Sequence, residues 1–154
     1  MATRGIQILK SLGIEFDILT YRYDEMGARI AAEAIGQPED LVLKSLVFRA
    51  EDKSFAFALI SGSANVSTRK LGRASGHKHM EAAAPRDAER MTGYQVGGIS
   101  PLGSRNVLPI FLDEATARHP HLIINAGGRG ALIRLATSDL IRITDAEVAD
   151  IRAA

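Results

Sequence analysis

Leu41-Val42-Leu43-Lys44-Ser45-Leu46-Val47-Phe48-Arg49, then Glu51-Asp52-Lys53 after Ala50, then Ser54-Phe55-Ala56-Phe57-Ala58-Leu59-Ile60-Ser61, reads as two strands and their turn. In the second run Phe55, Phe57 and Leu59 alternate with smaller residues, the mark of a half-buried strand. The connection cannot hold a crossover helix, so the two strands pair antiparallel and a purely parallel sheet is excluded. Because helical and strand signals are interspersed on either side, the expected class is α+β. We expect a single domain over residues 1–154 with a mixed, barrel-like β-sheet flanked by helices.

Outward from this hairpin, Thr3 caps a helix through Leu12, with Ile6, Leu9 and Leu12 on one stripe and Gly13 ending it. Glu15 to Tyr21 reads as a strand, and the alanine-rich stretch Ala28 to Ile35 as a helix that stops at Gly36 before the turn at Pro38. Downstream, Ser67 caps a helix through Ala74 and Pro85 opens another that ends near Met91. Val107 to Leu112, Leu122 to Asn125 and Ala131 to Leu135 read as strands, with a helical turn at Glu114 to Arg118. Ser138-Asp139 and Asp145 each start a short terminal helix.

The totals exclude several function classes. At 154 residues, 46% of them hydrophobic and 24% charged, the chain has the composition of a globular domain rather than a disordered one. With no cysteine there is no disulfide, no thiolate nucleophile and no sulfur-ligated zinc. No apolar stretch approaches the roughly 20 residues of a membrane span, and no signal-peptide pattern opens the chain, so a cytoplasmic location without a membrane partner is expected. Net charge is +1, so nucleic acid contact would need a local patch. Arg69, Lys70, Arg73, His77, Lys78, His79, Arg86 and Arg90 form one candidate, whose plainer reading is a solvated helix face.

Thr92-Gly93-Tyr94-Gln95-Val96-Gly97-Gly98-Ile99-Ser100-Pro101-Leu102-Gly103 holds four glycines and a proline in twelve residues. Such a loop exposes backbone N–H groups that can hold a phosphate, carboxylate or developing oxyanion; the competing reading is a set of tight turns. Gly127-Gly128-Arg129-Gly130 is a second loop, whose Arg129 is placed either for bidentate anion binding or for an ion pair with Asp113 or Asp145. Lys44 is a cation within an apolar strand, sharing a face with Leu46 and Phe48. It either neutralises a ligand or snorkels from an edge strand. Ser100 lacks the setting of a hydrolase nucleophile. His77-x-His79 and His119-x-His121 are too weakly spaced to argue a metal site, and no Gly-x-Gly-x-x-Gly supports a dinucleotide. No cofactor or metal is expected.

Together, Lys44 within Gly36-Gln37-Pro38-Glu39-Asp40-Leu41-Val42-Leu43-Lys44, the Gly97-Gly98-Ile99-Ser100-Pro101 segment, and Gly127-Gly128-Arg129-Gly130 resemble the YbaK family of aminoacyl-tRNA deacylases, related to the editing domain of bacterial prolyl-tRNA synthetases. Ser45 departs from the threonine that commonly follows the lysine in that family, and keeps its hydroxyl. The resemblance implies a trans-acting deacylase of mischarged tRNA(Pro), above all Cys-tRNA(Pro), with alanine or another small residue as the alternative. It implies catalytic roles for Lys44, Gly97, Gly98 and Ser100, and substrate contacts from Tyr21, Ile99, Pro101, Gly127, Gly128 and Arg129. Tyr21 would stack on the terminal base, or else serve as a core tyrosine. The implied partners are the acceptor end of tRNA and a prolyl-tRNA synthetase, with a monomer favoured. A non-catalytic tRNA- or synthetase-binding module, and a small-molecule hydrolase or phosphate-ligand sensor unrelated to tRNA, are the competing classes.

Overall fold

A computed structural model describes residues 3–154. The chain runs α1 (Arg4–Ser11), β1 (Phe16–Thr20), α2 (Ala28–Ile35), β2 (Leu43–Ala50), β3 (Phe55–Ser61), α3 (Thr68–Ser75), β4 (Met80–Ala82), α4 (Pro85–Thr92), β5 (Ile110–Asp113), β6 (His121–Gly128), β7 (Ala131–Ala136), α5 (Thr137–Thr144) and β8 (Glu147–Ala149). The α+β class is as expected, and β2 and β3 pair antiparallel over Leu43–Arg49 and Phe55–Ser61. The strands divide between two sheets, β1-β7-β6 and β4-β2-β3-β5-β8, rather than forming one closed barrel. The larger sheet is mixed, because β3–β5 and β5–β8 run parallel.

Both sheets are covered on both faces, which explains why so few of their strands alternate cleanly with polar residues. Leu43, Val47, Phe57, Leu59, Ile110 and Leu112 of the larger sheet meet Leu122, Ile124, Ile133 and Leu135 of the smaller one, together with Ile6 and Leu9 of α1. On the far side of the larger sheet Phe48, Ala56, Ala58 and Phe111 pack against Leu71 of α3. Behind the smaller sheet Ala31 and Ala32 of α2 cover Ile123 and Leu132. Each fully buried large aliphatic or aromatic side chain contributes about 1.5–3 kcal/mol relative to exposure.

Local signals account for most boundaries. The Thr3 hydroxyl accepts from Ile6 N and the Ser67 hydroxyl from Lys70 N, capping α1 and α3 as expected. Leu12, expected on the buried stripe, lies just past α1 and is 55% exposed. Val107 precedes β5 in an irregular stretch and is 99% exposed, so that strand starts at Ile110. Asp145 does not start a second terminal helix: it ends α5 in the left-handed conformation (φ 53°), which aspartate tolerates. The chain then forms β8, completing the sheet beside β5. β4, three residues pairing with the end of β2, has no sequence pattern long enough to announce it.

Candidate functional site

A gap beside β2 forms the cleft. Val42 bridges Ile123 of β6, and Phe48–Ala50 pair with β4, so between these points β2 has a strand neighbour only on its β3 side. The opening there has a volume of about 390 Å³ and a largely apolar wall that includes Ala28, Ala31, Leu46, Val47, Ile99 and Leu132. Its polar contributors are Tyr21, Tyr23, Lys44, Ser45 and Asn125, and no carboxylate among the described residues lines it.

The two glycine loops close one end and are tied to each other. Gly98 N–H donates to Gln95 O (2.8 Å), a turn whose third residue, Gly97, has φ +93° and therefore favours glycine. A Cβ on Gly97 would also collide with the Tyr23 hydroxyl. Gly98 is packed against backbone: a Cβ there would lie 3.0 Å from Arg129 N and from Gly128 C. Asn125, in β6 where its register with β7 shifts, joins both loops through one side chain. Its Nδ2 donates to Gly97 O (3.1 Å), and its Oδ1 accepts from Gly127 N (2.7 Å) and Gly128 N (3.0 Å). The N–H groups of Gly97 and Ile99, both on the cleft wall, make no hydrogen bond to another described residue, which leaves donors for a ligand oxygen.

Lys44, Gly97, Ile99 and Tyr21 share the wall of this cleft. The Lys44 ammonium is turned to Asn65 Oδ1 (3.2 Å) rather than to the glycine loop. Burial lowers its pKa from the ordinary 10.5, and Glu39 pulls it partly back. Tyr21 has its pKa raised, first by burial and then by the neighbouring Tyr23, whose ring centre is 6.5 Å away. Arg129 pairs with neither Asp113 nor Asp145: its Nε donates to Val96 O (3.0 Å) and its guanidinium sits 5.2 Å above the Tyr23 ring. It thus clamps the two glycine loops and the segment after β1. Ser100 is fully buried and its hydroxyl accepts from Leu102 N (3.1 Å). Ser100 and Pro101 shape the turn without lining the cleft.

The basic segment is partly spoken for. Lys70 pairs with Asp150 (2.9 Å) and Arg90 with Asp87 (3.3 Å), while Arg69, Arg73, Lys78 and Arg86 are exposed. His77 turns to Glu51 (3.2 Å) and Asp52 (4.0 Å), away from His79, and none of these lines the cleft.

A family model for the aminoacyl-tRNA editing domain matches residues 25–143, a span that holds Lys44 and both glycine loops. The chain belongs to the aminoacyl-tRNA editing domain family. It is 33% identical over 128 residues to EbsC of Enterococcus faecalis, a protein provisionally named a Cys-tRNA(Pro)/Cys-tRNA(Cys) deacylase, covering 83% of this chain and 78% of that one. It is 28% identical over 123 residues to a proline–tRNA ligase of Lactobacillus acidophilus, which covers 80% of this chain and 21% of the ligase. A crystal structure provisionally described as a trans-editing enzyme for prolyl-tRNA synthetase superposes with a TM-score of 0.87 at 27% identity, over 100% of this chain and 99% of that one.

In this editing domain the residues that sequence reasoning missed are the ones that organise the loops. Asn125 ends an apolar strand and looks like a turn residue, and Tyr23 lies in a polar stretch with no periodic signal. Tyr94, inside the first loop, donates its hydroxyl to Leu102 O and carries Arg4 5.3 Å over its ring. Only the tertiary contacts identify these three as braces.

Proposed function

We propose that this editing domain is a free-standing aminoacyl-tRNA deacylase that hydrolyses the ester of mischarged tRNA(Pro), with Cys-tRNA(Pro) as its substrate. The observation that carries the reading is the unbonded amide N–H groups of Gly97 and Ile99, held over an apolar cleft whose wall also carries Lys44. An aminoacyl ester is already activated, so positioning and stabilisation of the oxyanion supply most of what the reaction needs.

In this reading the terminal adenosine enters beside Tyr21 and the aminoacyl side chain lies among the small aliphatic groups of the wall. A nucleophile, either water or a group of the substrate, adds to the ester carbonyl. The oxygen gains charge against the Gly97 and Ile99 amides, the bond to the ribose oxygen breaks, and that oxygen takes up a proton. Lys44 contributes positive charge toward the terminal phosphate or the ester; its ammonium leaves Asn65 to do so. The exposed arginines of the basic segment meet the acceptor stem. The domain acts as a monomer in the cytoplasm, alone or beside a prolyl-tRNA synthetase.

The likeness to EbsC supports cysteine, and a wall so rich in alanine fits a small side chain, with alanyl-tRNA as the second reading. The test compares deacylation of Cys-tRNA(Pro), Ala-tRNA(Pro) and Pro-tRNA(Pro) by the wild type and Lys44→Ala. Loss of the cysteinyl ester, abolished in the variant, is the expected result. Cleavage of the alanyl ester instead would change the specificity, and tRNA binding without cleavage of any ester would leave a binding module.

A further inference from the structure

The open stretch of β2 carries main-chain groups that no neighbouring strand pairs on the cleft side. Val42 O accepts from Gly62 N (2.8 Å) on the β3 side, and Val47 O accepts from Ala83 N (2.9 Å) on the opposite side. Main-chain groups of successive residues point to opposite edges of a strand. Ser45, two residues from Val47, therefore turns its N–H and C=O away from β3 and into the cleft. No bridge or ladder pairs either group on that side, since the bridge to β6 ends at Val42 and the ladder to β4 begins at Phe48. The Ser45 hydroxyl is enclosed and is the one buried side-chain polar atom among the described residues without a hydrogen bond. Ser45 as a whole is nevertheless partly exposed, so its accessible area belongs to its main chain and Cβ. Polar groups left unpaired in an apolar wall are costly and persist where a ligand completes them.

An aminoacyl group carries an amine donor and a carbonyl acceptor spaced like the N–H and C=O of one strand residue. We propose that the aminoacyl moiety docks on Ser45 as a single-residue β-bridge, its α-amine donating to Ser45 C=O and one lone pair of its carbonyl oxygen accepting from Ser45 N–H, the other being left for the glycine-loop amides. This rests on the deacylase reading and extends it: the amino acid backbone is read by a strand edge, and the side chain separately by the apolar wall. The absence of a carboxylate from the described lining fits, because a carbonyl then meets the amine. β4 and β6 flank the gap, so it admits one residue and excludes a full strand.

The test uses the full chain and three esters of the same tRNA: cysteinyl, 3-mercaptopropionyl, which lacks only the amine, and 2-hydroxy-3-mercaptopropionyl, which restores a donor. Each enzymatic rate is divided by the spontaneous hydrolysis of its ester. The expected result is a loss of about 10-fold for the ester without a donor, the worth of one hydrogen bond, and recovery of most of it with the hydroxyl. In parallel, a non-hydrolysable 3′-cysteinylamido-adenosine shifts the Ser45 amide proton in NMR titration. Equal corrected rates for all three esters, or an unmoved Ser45 amide under saturating analogue, would overturn the bridge while leaving the deacylase standing. If only the alanyl ester is cleaved, the same comparison is made with its propionyl and lactyl counterparts; if neither the cysteinyl nor the alanyl ester is cleaved, the deacylase reading fails and the bridge falls with it.

Discussion

Asn125→Ala removes three hydrogen bonds at once, and the structure fixes what each was holding. The Gly97 carbonyl loses its side-chain donor, and the Gly127 and Gly128 amides lose their shared acceptor. At about 1 kcal/mol net for each bond, the loss is about 3 kcal/mol. For a chain of this size that corresponds to a fall in melting temperature of about 6–12 °C. Activity falls further than stability, because the turn that aims the Gly97 and Ile99 amides is no longer fixed to β6. A displacement of about 1 Å at such a site costs on the order of 100-fold in rate. Asn125→Asp separates the two effects: it retains both acceptor bonds but faces the Gly97 carbonyl with a carboxylate oxygen instead of a donor. It is expected to show about a third of the alanine variant's stability loss, about 1 kcal/mol, and to lose most of the activity. Urea unfolding followed by circular dichroism and single-turnover deacylation measure the two quantities. An Ala variant that melts within 2 °C of wild type, on the scale above, and deacylates normally would refute the assignment of Asn125 as the brace of both loops.

Lys44→Ala lowers single-turnover deacylation by about 100-fold or more, the scale of a lost electrostatic contact to the reacting group, with the melting temperature measured as a control for folding. The pH dependence of stability carries a second signature of Lys44. Its folded pKa is lowered, so between that value and 10.5 the unfolded chain binds more proton and stability rises with pH; Lys44→Met removes that rise, read from urea midpoints across the alkaline range. Gly98→Ala forces a Cβ to within 3.0 Å of the Gly128–Arg129 backbone and costs about 1–3 kcal/mol by overpacking, with deacylation falling more than for Arg129→Ala in the same assay. Asp113→Ala strips the buried carboxylate that accepts from Arg152 Nε (3.1 Å), Thr116 N (3.2 Å) and Ile151 N (3.4 Å). It destabilises by about 3–5 kcal/mol in urea unfolding and leaves activity per folded molecule unchanged.

Local signals carry the elements whose causes are local. Thr3, Ser67 and Pro85 announce their helices because an N-cap hydroxyl or an N1 proline acts within one turn. The β2–β3 hairpin is legible because its apolar runs and charged turn lie together in sequence. Asp145 misleads because aspartate serves a helix at either end, and whether it starts one or stops one depends on where the following residues find a partner. The division into two sheets is hidden for the same reason: β1 joins β7 and β6 across more than a hundred residues, a pairing that no local pattern encodes.

By itself the sequence determined the class of fold, the two glycine loops and the apolar strand that carries Lys44, because glycine content, capping residues and hydrophobic periodicity act over a few neighbouring residues. Tertiary structure alone decided that Asn125 and Arg129 lock the two loops together, that Ser100 is enclosed, and that the Lys44 ammonium rests on Asn65. It alone opened β2 between β6 and β4, baring the main chain of Ser45. Those features arise from strand pairings between distant segments, and a hydrogen bond's partner depends on which backbone arrives beside it, not on the residue that waits for it.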